Sequence, residues 1–95
     1  MADRDLDRIW RHIAADSSTA ANRVEDELHS AMKLLAEFPG MGHRRQDAKD
    51  DRHLFWGVYS YLIVYRIEGN TLLVVRVVHG ARDLRRVLRR HLREE

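Results

Sequence analysis

At 95 residues and 44% hydrophobic content, the chain is long enough for one folded domain, expected to span residues 1–95, and too apolar to stay disordered. It has no cysteine, which excludes a disulfide framework, a thiolate nucleophile and cysteine-ligated zinc. No apolar run approaches the roughly 18 residues that would span a membrane, and Met1 to Asp7 is too charged for a secretory leader, so a cytoplasmic location is expected.

The first predicted element is a helix over about 3–15, where Leu6, Ile9, Trp10 and Ile13 recur at helical spacing. Asp3, Asp5 and Asp7 sit near its start, where carboxylates suit the positive end of the dipole. Asp16 to Thr19 is a polar break rich in capping residues. A second helix is predicted over about 18–38 from Ala21, Val24, Leu28, Ala31, Leu35 and Phe38, and Pro39-Gly40-Met41-Gly42 stops it. Two helices with a short joint predict an αα-hairpin.

Residues 43–53 lack periodicity and predict a loop. Strands follow over about 53–58, 61–67 and 71–79, rich in β-branched and aromatic residues, with Tyr59-Ser60 at one bend and Gly69-Asn70 at the next. A two-residue turn at Gly69-Asn70 places Ile67 opposite Leu72 and Ile63 opposite Arg76. One sheet face then carries Tyr61, Ile63, Tyr65, Ile67, Leu72, Val74 and Val78; the other carries Leu62, Val64, Leu73, Val75, Val77 and His79. Both faces are apolar. A helical hairpin covers one, and the second must meet another part of the chain or a partner. The fold class expected is α+β, the hairpin packed on an antiparallel sheet of about three strands, with a basic tail over 82–95.

Charge is unevenly distributed although the net value is only +2. Residues 1–37 hold 5 basic and 8 acidic groups, whereas residues 68–95 hold 7 and 4. Six of those seven arginines fall between Arg82 and Arg93, a basic segment suited to an anionic partner or, more plainly, a solvated helix face. The histidines show no metal-ligand spacing, and no cofactor or metal is expected. Trp10 and Trp56 fit core positions as well as partner anchors.

Four segments together resemble the ParE/RelE toxins of type II toxin-antitoxin systems: Asp5-Leu6-x-x-Ile9, Leu35-x-x-x-Pro39-x-x-Gly42, Tyr61-x-Ile63-x-Tyr65, and Arg76-Val77-Val78-His79-Gly80-Ala81-Arg82-Asp83. They run in family order over nearly the whole chain. The family's usual strand before the first helix has no counterpart here, which leaves one sheet edge to be covered. The resemblance implies a toxin neutralised by a cognate antitoxin, ParD-like or of another class, whose disordered segment folds onto the toxin.

One family branch cleaves mRNA on the ribosome; the other poisons DNA gyrase and serves plasmid stabilisation. Cleavage by 2′-hydroxyl attack needs an acid, a base and cations around the phosphorane. Here Leu62 stands where the ribonuclease branch carries Arg, Leu54 to Val58 has no Lys or Arg, and no Tyr follows Tyr65. The sequence therefore resembles the gyrase-directed, non-enzymatic branch. In the ribonuclease alternative the catalytic residues would be His79, Arg76 and Arg82; a third alternative is an inactive relic that still binds antitoxin. His79 could equally end its strand with a local hydrogen bond, and Arg82 and Asp83 could pair at a turn. Target-binding candidates are Arg82, Arg85, Arg86, Arg89 and Arg90. Antitoxin-binding candidates are Trp10, Leu62, Val64, Leu73 and Val75.

Overall fold

The computed structural model describes residues 2–44, 52–80 and 82–83. Helix α1 spans Ala2–Ala14 and helix α2 spans Ser18–Glu37. Ser17 separates them: it is extended, with φ −159°, and its hydroxyl accepts from the Ala20 amide at 3.1 Å, satisfying one of the orphan donors of the first turn of α2. At the other end Phe38 leaves helical geometry and Pro39 opens a 3-10 turn, Pro39–Met41. Phe38 is thereby thrown outward and is 56% exposed, so the apolar stripe read along α2 ends in the core at Leu35.

Strands β1 (His53–Val58), β2 (Tyr61–Glu68) and β3 (Thr71–His79) form an antiparallel meander in the order β1-β2-β3. Two helices followed by a three-stranded sheet is the α+β architecture expected. Gly69 adopts φ +60° in the second turn, where a residue without Cβ is at ease. The first turn makes the same demand of Tyr59, φ +54°, where an aromatic residue is costly.

The register differs from the ideal hairpin count. Ile67 faces Leu72, but a β-bulge between Val64 and Tyr65 on the β2 side pairs Val64 with Arg76 and Tyr65 with Val74. Val75 is the extra residue, so Ile63 lies opposite Val77 rather than Arg76. One inserted residue exchanges the two faces for everything beyond it. Val77 therefore joins Leu54, Tyr61, Ile63 and Tyr65 under the helices, with Leu28 and Leu35 from α2 and half-buried Leu6, Ile9 and Ile13 from α1. Val78 joins Phe55 and Val64 in a second cluster flanked by Leu62 and Val75. On this second face Phe55, Val64 and Val78 are inaccessible, at 2%, 0% and 3% exposure, while Leu62, Leu73 and Val75 are half-buried. Each fully buried side chain of this size contributes about 1.5–3 kcal/mol.

Two contacts tie the layers together. The Tyr65 hydroxyl donates to the Pro39 carbonyl at 2.7 Å and accepts from the Gly42 amide at 2.9 Å, pinning the exit of α2 to the central strand. Gly42 must lack a side chain there, because a Cβ would collide with the Tyr65 hydroxyl and ring. The second contact joins α1 to β3 and lies in the cleft described next.

Candidate functional site: the cleft between α1 and β3

A cleft of about 330 Å³ opens between α1 and the end of β3. Asp5, Arg8, Ile9 and His12 line it from α1 at i, i+3, i+4 and i+7, one helix face. Tyr61 lines it from β2, Arg76 to His79 from β3, and Arg82 and Asp83 from the turn beyond.

Its floor is an ion pair. The Arg76 Nε and Nη2 donate to the two carboxylate oxygens of Asp5 at 2.7 and 3.0 Å, and the Val77 amide donates to Asp5 Oδ2 at 2.9 Å. Both residues are buried, Asp5 at 5% and Arg76 at 8% exposure. Asp5 is therefore more than a dipole partner for α1. It neutralises a buried cation and satisfies an outward-pointing amide on β3, whose only sheet neighbour among the described residues is β2. Bidentate geometry is what allows a buried pair to offset its desolvation.

Above this floor Arg8, His12 and Arg82 are exposed, His79 and Asp83 are half-buried, and Tyr61 is buried. His79 meets Tyr61 edge-on, with ring centroids 5.6 Å apart, and its Nδ1 accepts from the Arg82 amide at 3.3 Å. With Nδ1 accepting, the neutral ring carries its proton on Nε2. The Asp83 amide closes the same turn on the His79 carbonyl at 2.9 Å. Three arginines against two aspartates leave the lining one positive charge in excess when both histidines are neutral. Among the described residues no three His, Asp or Glu side chains converge as metal ligands would.

The residues singled out from sequence divide into four groups. His79, Arg76 and Arg82 come together in this cleft, although Arg76 is committed to Asp5. Leu62, Val64 and Val75 share the second apolar cluster; Val64 is fully buried there, Leu62 and Val75 half-buried, and half-buried Leu73 lies opposite Arg66. Trp10 is separate, in the helical layer, its indole N–H donating to Asn22 Oδ1 at 2.9 Å. Arg85, Arg86, Arg89 and Arg90 lie outside the described residues. Asp5, Arg8, His12 and Tyr61 were not anticipated as site residues. The signal available for three of them was the polar spacing 5, 8, 12 beside the apolar stripe of α1.

A helical hairpin on a three-stranded antiparallel meander, closed by an α1–β3 ion pair, is consistent with the RelE/ParE-like toxin fold. Residues 1–84 match the family described as ParE toxin of type II toxin-antitoxin system, parDE, and the chain belongs to that family. It is 28% identical over 85 residues to the toxin ParE3 of Caulobacter vibrioides, covering 84% of this chain and 80% of that protein. It is 26% identical over 79 residues to the toxin RelE3 of the same organism, covering 83% of this chain and 86% of that protein. Similarity is thus nearly equal to relatives bearing either name. Family membership implies an antitoxin as partner. Among the described residues no helix is long and apolar enough to cross a membrane.

Proposed function

We propose that the chain is a cytoplasmic toxin that inhibits DNA gyrase by binding, without chemistry of its own, and that a cognate antitoxin neutralises it. The observation that supports this reading is the state of Arg76. A guanidinium serving cleavage must be available to the charge that develops on the phosphorane. Arg76 instead spends two donors on a buried carboxylate. Strand β1 carries no Lys or Arg, Leu62 follows Tyr61, and the other strand guanidinium, Arg66, pairs with Glu68 at 2.9 Å and lies opposite Leu73, at the far end of β2 from the Tyr61–His79 pair. The family motifs also contact one another: Asp5 meets Arg76, Pro39 and Gly42 meet Tyr65, and Tyr61 meets His79. That pattern suits a scaffold signature better than a catalytic one.

Purified toxin, free of antitoxin, is expected to inhibit gyrase supercoiling while leaving mRNA intact in a translating ribosome system. No inhibition over a wide concentration range would reject the gyrase reading. The ribosome-dependent ribonuclease is the second reading, favoured by one observation: His12, His79 and Arg82 line the same cleft. It requires codon-linked cuts that disappear in His79→Ala.

A further inference from the structure

The α1–β3 cleft holds more positive charge than its own carboxylates neutralise. Asp5 is committed to Arg76 and the Val77 amide on the floor. Arg8, His12 and Arg82 stand exposed on the rim, with His79 half-buried between the walls. We propose that this cleft receives the side-chain carboxylate of an acidic residue on the antitoxin, held by Arg8, His12 and Arg82. The inference rests on the reading that an antitoxin binds the chain, and it assigns where one anchoring contact falls.

Three observations favour a peptide carboxylate. The first is stoichiometry: one excess positive charge lines about 330 Å³, which suits a single acidic side chain with its apolar stem against Ile9 and Tyr61. The second is precedent within the fold. Asp5 is itself a carboxylate held in this cleft by a guanidinium and a backbone amide. The third is what surrounds the cleft. Asp3 and Asp7 are exposed on the same helix, and residues 1–37 hold 8 acidic groups against 5 basic. A nucleic-acid backbone, with one charge every ~1.7 Å of duplex, would run onto these carboxylates. A lone acidic side chain can be held by Arg8, His12 and Arg82, with Asp83 the one rim carboxylate it must avoid.

The test is calorimetric titration of the full-length chain with its purified cognate antitoxin. Arg8→Gln, Arg82→Gln and the double variant are compared with Asp3→Asn, a charge change on α1 that does not line the cleft. Each rim variant should weaken binding about tenfold, and the Asp3→Asn variant less than twofold. An acid-to-amide scan of the partner should reveal one position whose loss no longer weakens binding once Arg8 is Gln. Circular dichroism checks that each exposed substitution leaves the fold intact. Wild-type affinity in the rim variants would overturn the cleft assignment while leaving the antitoxin reading standing. No complex with wild type would remove both. A single-stranded oligonucleotide that binds the free chain and loses affinity in Arg8→Gln and Arg82→Gln would reassign the cleft to phosphate and overturn the inference.

Discussion

Replacing Asp5 by Leu should be among the most damaging single changes in the helical layer. The substitution removes three hydrogen bonds at 2.7 to 3.0 Å and leaves the Arg76 guanidinium, 8% exposed, without its counter-ion. Breaking one side of a buried pair costs about 3–5 kcal/mol, because the remaining charge stays desolvated. A chain of this length has roughly 5–14 kcal/mol of total stability to lose. With a guanidinium-chloride slope of about 2–3 kcal/mol/M, the unfolding midpoint should fall by roughly 1–2.5 M. The control is Asp5→Leu combined with Arg76→Met, which removes the stranded charge. It should recover most of the loss and retain a deficit of about 1–2 kcal/mol for the unpaired Val77 amide. A single variant costing under ~1 kcal/mol, or a double variant no better than the single, would refute the argument that burial of the charge sets the cost.

Gly42→Ala should destabilise by about 1–3 kcal/mol, since the added methyl strikes a tyrosine that is itself fully buried; thermal denaturation would expose the error if the variant melts with the wild type. Burial raises the Tyr65 hydroxyl above its ordinary value of 10.0, against a smaller lowering by the Gly42 amide. The unfolded chain then loses that proton first, so stability should decline as pH climbs through 10 toward the raised folded value. Urea midpoints at pH 8 and 11 measure this, and an equal decline in Tyr65→Phe would discount the assignment.

Much of the fold could be read from residue order because its determinants are local. Ser17 and Pro39 bracket α2 through their own backbone preferences, and Gly69-Asn70 sets a turn by the freedom of one glycine. The bulge at Val75 could not be read, because Leu73, Val74 and Val75 are equally suited to either face, and nothing in an unbroken apolar run marks which one is extra. The same limit applies to the floor of the cleft. Asp5 and Arg76 are 71 residues apart, and a run of three aspartates at a helix start is accounted for by the dipole alone. His79 and Arg82 were visible as chemistry-bearing residues near a strand end. Their neighbours Arg8 and His12 were not, because only the packing angle of α1 against β3 brings that helix face to them.

The Asp5 contact also bears on how the chain behaves in a crowd of its own copies. A meander offers its outer rim to any strand that can zip onto it, and such recruitment, repeated, yields filaments. On β3 the recruiting amide of Val77 is already engaged by a negative group belonging to the same molecule. An incoming strand would have to evict that group and strand a cation in doing so, which guards the β3 rim at this one amide.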